Sequence, residues 1–366
     1  MNMNICICGG GSLGHVIAGI AASKGFNVSV LTRHPDKWNK TVSVKDPEGR
    51  IFTGPLTSVT ANPAIVIPQA DIVLLCLPGF AIEEELLHIR AFLQEKTCIG
   101  SVVCCTGFFF TACRILGNRA SLFGFQRAPF IARVQEYGQT AHLLGYKKEL
   151  QIATMNNTKP TILQQVFQKM LETPIRLLQH FLEASLTNSN PLLHPARLYS
   201  LLHTWEEGQI YKEIPGFYNT WNDESSRLLI ACDNEFHQML EALPVRIEPI
   251  PTLLTYYESY DAASLTRKIR SITAFQNIPT PMKEVEGGYV PDFASRYFTE
   301  DFPFGILIIK SIAEILHVDT PHIDKVLLWG QRMLEKEYLQ EGLLKGKDLP
   351  GTGHVDAHLF HKLLKS

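Results

Sequence analysis

Residues 4–31 constrain the fold of this chain more than any other stretch. Asn4-Ile5-Cys6-Ile7-Cys8 is a short apolar run that leads straight into Gly9-Gly10-Gly11-Ser12-Leu13-Gly14. Small and apolar residues at helical spacing follow (Val16, Ile17, Gly19, Ile20, Ala21, Ala22), then a second apolar run, Asn27-Val28-Ser29-Val30-Leu31. The order strand, glycine-rich turn, helix, strand is that of a βαβ dinucleotide-binding unit, and the glycines stand at G-x-G-x-x-G spacing. Each glycine answers its own steric demand: Gly9 the tight turn, Gly11 the approach of backbone to a pyrophosphate, Gly14 the close packing of helix on strand. The start of the helix, Ser12 and Leu13, adds free N–H groups and a partial positive charge for the phosphates. The competing reading is a glycine turn with a purely structural purpose.

The alternation continues. Ala70 to Pro78 reads as a strand buried on both faces, and Ala81 to Leu93 has helical spacing, with glutamates near its start that suit the helix dipole. Cys98 to Cys105 and Leu122 to Phe125 read as further strands, so a parallel, doubly wound sheet is expected. Beyond Ala128 the pattern changes to a hairpin over 134–138 and 140–144, a short strand over 151–154, a helix over 159–171 and a last strand over 175–178. From about Leu186 the periodicity is almost wholly helical, with helices expected over 195–206, 218–242, 249–260, 262–274, 304–317 and 320–337. The expected architecture is a Rossmann-type NAD(P)-binding domain over 1–185 followed by an all-helical substrate domain over 186–366, with the change falling near 180–190.

At 366 residues the chain is long enough for two cores. Apolar residues at 45% and charged residues at 19% are ordinary for a globular protein. A net charge of −2 gives no electrostatic reason to expect nucleic acid or a membrane surface as partner. No apolar run is long enough to span a bilayer, and the first hydrophobic residues belong to a strand rather than to a signal peptide. Cys6, Cys8, Cys76, Cys98, Cys104 and Cys105 fall in or beside apolar runs, where cysteine serves as a small hydrophobe, and C-x-x-C spacing is missing. A reducing compartment, the cytoplasm, is expected. His354, His358 and His361 share a helical face, but no thiolate stands beside them and the one nearby carboxylate, Asp356, points elsewhere on a helix, so no metal site is expected.

The end of the second strand selects among dinucleotides. NAD sites of this type place an acidic side chain there to bond the ribose hydroxyls. Here the position is Thr32, followed by Arg33, and Asp36 lies beyond a proline. An arginine fork matches a 2′-phosphate, which favours NADP over NAD, with NAD still possible. Backbone around Leu77-Pro78 and Thr106-Gly107, at the carboxyl edge of the sheet, is expected to line the nicotinamide side.

Two later segments concentrate polar residues among apolar ones. The first is Thr187-Asn188-Ser189-Asn190-Pro191-Leu192-Leu193-His194-Pro195, which puts a histidine before what reads as a helix-starting proline. The second runs from Arg296-Tyr297 through Glu300-Asp301 to Pro303 and Gly305. With the N-terminal glycine motif, the N-x-N-x-x-x-H-P and R-Y-x-x-E-D-x-P-x-G segments resemble the octopine/nopaline (opine) dehydrogenases, and the resemblance covers essentially the whole chain. That family joins a Rossmann domain to an all-helical one, and reductively condenses an amino acid with a 2-oxo acid using NADH or NADPH. The resemblance implies that His194 is the catalytic acid/base, Asp301 its orienting partner and Arg296 the clamp for a substrate carboxylate. The chemistry suits those residue types: the reduction needs a nearby proton donor, histidine titrates near neutrality, and a neighbouring carboxylate favours its charged form.

Other readings stand beside these. Asp301 as a helix cap, Arg296 in an ion pair with Glu300 or Asp301, and Asn188 and Asn190 as turn caps are the structural alternatives. A simple 2-oxo acid reductase of the ketopantoate-reductase type is the enzymatic alternative, weakened because Lys169 lacks an asparagine one turn on. A non-catalytic dinucleotide-binding protein is the third. The apolar C-terminal helices are expected to bury themselves within the chain or in a homodimer.

Overall fold

The computed structural model describes residues 3–117, 120–156 and 159–365. Contacts divide the chain after Asn188 into two compact units, 1–188 and 189–365. The first begins with β1 (Asn4–Cys8), α1 (Ser12–Ser23) and β2 (Asn27–Leu31), continues through β3 (Thr41–Lys45), β4 (Ile51–Pro55) and β5 (Ser58–Thr60), and reaches the short α2 (Pro63–Val66). Then come β6 (Ile72–Leu75), α3 (Gly79–Ile89), β7 (Cys98–Val102), α4 (Phe108–Leu116) and β8 (Ser121–Phe125). The unit closes with the hairpin β9 (Phe130–Glu136) and β10 (Thr140–Tyr146), β11 (Leu150–Met155), α5 (Pro160–Leu171), β12 (Ile175–Leu177) and α6 (Phe181–Leu186).

Six strands run parallel in the order β5-β2-β1-β6-β7-β8. β11 joins antiparallel to β8, and β12 completes the eight-stranded sheet. Strand order reverses direction between β1 and β6, which opens a crevice at their carboxyl ends, the usual dinucleotide position in such sheets. A second sheet, ordered β4-β3-β10-β9, covers the far side of α1. This sheet goes beyond the sequence-level expectation, which contains only its β9–β10 hairpin. In β3, Thr41-Val42-Ser43-Val44-Lys45 does alternate, with Val42 and Val44 buried, but its parallel partner is the distant β10. Held between two sheets, α1 is buried continuously from Gly14 to Ala22, so it has no polar face.

The second unit carries α7 (Asn190–Leu202), α8 (Asp223–Glu241), α9 (Leu253–Tyr256) and α10 (Ala262–Ser271). A hairpin of β13 (Met282–Val285) and β14 (Gly288–Pro291) follows, then α11 (Arg296–Thr299), a π-helical turn over Phe302–Ile306, α12 (Leu307–Ile315) and α13 (Pro321–Met333). A two-stranded ladder, β15 (Leu339–Gln340) and β16 (Leu343–Leu344), and α14 (Ala357–Leu363) end the chain. Helices dominate, and the two small hairpins are additions to the expected pattern. Residues Leu307 to Ala313 of α12 are buried within the unit.

Capping chemistry moves several helix boundaries from their expected places. α8 starts at Asp223 because the Asn222 side chain accepts the Ser225 N–H at 2.9 Å. The expected helix over 249–260 contracts to one turn, capped by Thr252 and followed by Glu258 in the left-handed region at φ +50°. The largest correction concerns α7. It begins at Asn190 with Pro191 in its first turn, where a proline sacrifices no hydrogen bond, so His194 lies inside the helix rather than at its entrance. Pro195 is an internal proline and has no N–H to give the carbonyl four residues back.

None of the cysteines forms a disulfide among the described residues; Cys98 and Cys105 are half-buried, and the others are buried. No helix of the described residues is long and apolar enough to cross a membrane.

Candidate active site

In the first unit, a cleft of about 770 Å³ opens over the glycine turn. Gly9, Gly11, Thr32, Arg33, Leu77 and Pro78 all line it. Gly9 sits at φ +116°, and a Cβ there would stand 2.7 Å from the Cys76 carbonyl oxygen. A Cβ on Gly14 would collide with the Gly9 carbonyl oxygen, whereas one on Gly11 meets nothing within 4 Å. The turn thus presses against β6 and α1 at two glycines and stays open at the third, as a backbone cradle for phosphate requires. Gly11 is the N-cap of α1 and has no side chain to occupy the first-turn N–H groups. Ser12 and Leu13 lie outside the lining. The Ser12 hydroxyl accepts the Val134 N–H at 3.2 Å, and Leu13 packs on the core. Arg33 is exposed at the cleft, and the end of β2 carries no carboxylate. The α3 wall carries Glu84 and Glu85, and burial holds the Glu85 carboxyl above the usual carboxylate range.

In the second unit, α7 presents His194 to the residue that precedes the π-helical turn. His194 Nδ1 lies 2.8 Å from Asp301 Oδ2, and the two side chains are 12% and 17% exposed. The turn explains the spacing of the motif. Ile306 N–H bonds to the Asp301 carbonyl at 2.8 Å, five residues back, and Gly305 lets the turn pack on Pro191, where a Cβ would come 3.2 Å from that ring. Asp301 heads this segment without a side-chain cap bond, so its carboxylate is directed to His194. Burial raises the Asp301 carboxyl above its ordinary value, and His194 opposes part of that rise. With Asp301 ionised, Nδ1 carries the proton and donates it, which leaves Nε2 as an acceptor for the Tyr218 hydroxyl at 3.0 Å. Tyr297 meets the imidazole edge-on at 4.8 Å between centroids. Arg296 stands apart from this group. Its side chain is 69% exposed, and its Nε donates to Glu300 at 3.0 Å, one helical turn on.

Over 99% of its length the chain is 32% identical to an octopine dehydrogenase of Pecten maximus, 98% of which is covered. The chain belongs to the octopine/nopaline dehydrogenase family. A tauropine dehydrogenase of Arabella iricolor is 30% identical, with 98% of each chain covered. The family model described as the alpha-helical domain of NAD/NADP octopine/nopaline dehydrogenase matches residues 177–334. A solved octopine dehydrogenase with NADH and L-arginine superposes with a TM-score of 0.89 at 29% identity, covering 100% of this chain and 98% of that one. As a member of this family, the chain is an NAD(P)-dependent oxidoreductase acting on a CH–NH bond.

In this family member, several residues around the two sites escape sequence reading. His15 is fully buried beneath the glycine turn. Its Nε2 accepts the Gly138 N–H at 2.7 Å, so Nδ1 carries the proton and donates to the Gly11 carbonyl at 2.9 Å. Burial lowers its pKa, and its ring stacks on Trp38 at 4.2 Å. Tyr137 lines the cleft beside Thr32, and a Cβ on Gly10 would strike its hydroxyl. Tyr218 lies in the loop before α8, where the sequence pattern instead suggests the start of a helix over 218–242. Only the meeting of α7 with that loop reveals its role beside His194.

Proposed function

We propose that this chain joins an amino acid to a 2-oxo acid by reductive condensation, with NADPH as its preferred hydride donor. The observation that carries this reading is the 2.8 Å contact of His194 with Asp301 in a chain of this family. A bound nicotinamide dinucleotide supplies hydride to the carbon of the carbon–nitrogen double bond. The open backbone at Gly11, at the positive end of α1, receives the pyrophosphate, Gly9 and Gly14 shape the turn, and Thr32 and Arg33 take the adenosine ribose. Leu77 and Pro78 form the nicotinamide side. The amine adds to the 2-oxo acid's carbonyl, and loss of that oxygen as water needs a proton donor. Protonated His194 fills that role, and Asp301 both orients the ring and stabilises its charge. For Arg296 to hold the substrate carboxylate, its guanidinium leaves Glu300 and takes the ligand's carboxylate in its place. Lys169, the residue a ketopantoate-type reading needs, is instead exposed on α5 with its ammonium over the Phe26 ring.

The direct test is product mass. Incubation with pyruvate, an amino-acid mixture and NADPH yields a secondary amine heavier than one amino acid by the added carboxyethyl group. Lactate as the only reduced product overturns the proposal.

Cofactor choice is tested separately. A charge-assisted bond to a 2′-phosphate contributes about 1.5–3 kcal/mol. Arg33→Ala is therefore expected to lower kcat/KM for NADPH roughly 10- to 100-fold and to leave NADH within about twofold. Equal losses with both cofactors would remove Arg33 from the 2′-phosphate site.

The pH profile follows from the dyad. Reductive turnover falls toward alkaline pH, because the protonated His194 ring is the acid; oxidation of the product rises over the same range. On the acid side the reductive rate falls again as Asp301 protonates. Because burial raises the Asp301 carboxyl, that limb lies above the ordinary carboxylate range. Initial rates in both directions across pH check this, and a reductive rate that climbs steadily with pH contradicts it.

A further inference from the structure

Both ring nitrogens of His194 are engaged: Nδ1 by Asp301 and Nε2 by the Tyr218 hydroxyl. Nε2 is the nitrogen that must pass a proton to substrate, and Tyr218 covers it. The residue is only 4% exposed, and its ring is held on both sides, stacked on Phe275 at 4.1 Å and parallel to Trp221 at 6.2 Å.

The loop that carries Tyr218 is pinned by a side chain from the same helix as His194. Arg197, 1% exposed, gives its Nε to the Phe217 carbonyl at 2.6 Å and its Nη atoms to the Thr220 and Ser225 hydroxyls at 2.8 Å each. A third Nη contact reaches the Gly216 carbonyl at 3.5 Å. The guanidinium also lies over the Trp221 ring at 5.1 Å. A buried arginine bonded to carbonyls and hydroxyls is costly to desolvate, and burial lowers its pKa to about 10. Here it ties both flanks of Tyr218 to α7, so displacing the hydroxyl from Nε2 means breaking this clamp.

We propose that Tyr218 is a catalytic proton relay: its hydroxyl, fixed on His194 Nε2 by the Arg197 clamp, passes the proton to the substrate. In the reductive direction the Nε2–H bond of the imidazolium breaks and its proton bonds to Tyr218 Oη. The original Oη–H bond breaks in the same step, and that proton goes to the oxygen departing as water. His194 ends neutral and Tyr218 ends unchanged, so no phenolate accumulates; burial, which pushes the Tyr218 phenol far above its ordinary value, disfavours one. In the oxidative direction the same bonds exchange in reverse.

This inference rests on the acid role proposed for His194, and two variants separate the claims. Tyr218→Phe keeps the ring between Phe275 and Trp221 and removes only the hydroxyl. Its single-turnover reductive rate is expected to fall at least about 100-fold, the lower end of the usual contribution of a proton-transfer group. Its cofactor Kd and Tm are expected to match those of the unaltered enzyme. The unaltered enzyme, followed across mixtures of H2O and D2O, is expected to give a bowed dependence of rate on deuterium fraction, as two protons move together. If His194→Gln abolishes turnover while Tyr218→Phe stays within about threefold, the relay is overturned and the acid role stands. A faster Tyr218→Phe enzyme, or a linear or absent isotope dependence, also overturns the relay. If His194→Gln retains turnover, both claims fall.

Discussion

Replacing His194 by Gln is expected to cut reductive turnover by about 10²- to 10⁴-fold while leaving cofactor Kd unchanged within twofold. The asymmetry follows from where the residue stands. His194 belongs to α7 of the second unit, whereas the glycine turn and its 770 Å³ cleft are built wholly from the first. Asp301→Asn is expected to follow the same pattern with a smaller loss. It removes the charge that stabilises imidazolium and also allows an amide to face Nδ1 as a donor, which disfavours the required tautomer. Stopped-flow rates paired with titration of cofactor by tryptophan fluorescence measure both quantities. Loss of cofactor binding in parallel with turnover would show that His194 supports the fold rather than the proton transfer.

The second large effect separates two glycines only three positions apart. Gly14→Ala is expected to destabilise the first unit by about 1–3 kcal/mol and to weaken cofactor binding by at least about tenfold, because the new methyl meets the Gly9 carbonyl oxygen. Gly11→Ala has open space around its Cβ and an unstrained backbone, at φ −83°. It is expected to leave Tm nearly unchanged yet weaken cofactor binding by a similar factor, since the methyl then stands where the pyrophosphate approaches. Thermal unfolding with and without cofactor tells the two apart. A Gly11→Ala enzyme with unaltered affinity would place the pyrophosphate elsewhere.

What sequence reading reached and missed follows the range of each interaction. The glycine turn is legible because its demands are local, as are the buried runs of β1, β2, β6 and β7. β3 and β4 form a local antiparallel pair that sequence reading passes over, although Val42 and Val44 alternate as a half-buried strand should; only the parallel pairing of β3 with the distant β10 lies beyond local pattern. His194 and Asp301 stand out through their motifs, but the placement of His194 within α7 depends on which of two prolines starts the helix, and Pro191 takes that position. Arg296 and Glu300 sit at i,i+4 spacing, so their ion pair is legible as an alternative to a substrate clamp. Tyr218, Arg197 and His15 are silent in the sequence. Each acts by reaching a backbone group or a ring nitrogen that only the folded chain brings near.

Reductive condensation is tested by NADPH oxidation, followed by absorbance, with a 2-oxo acid such as pyruvate and a panel of amino acids, against controls without the amino acid. Turnover is expected only when both substrates are present. Equal turnover with the 2-oxo acid alone would contradict this expectation and make the protein a simple 2-oxo acid reductase.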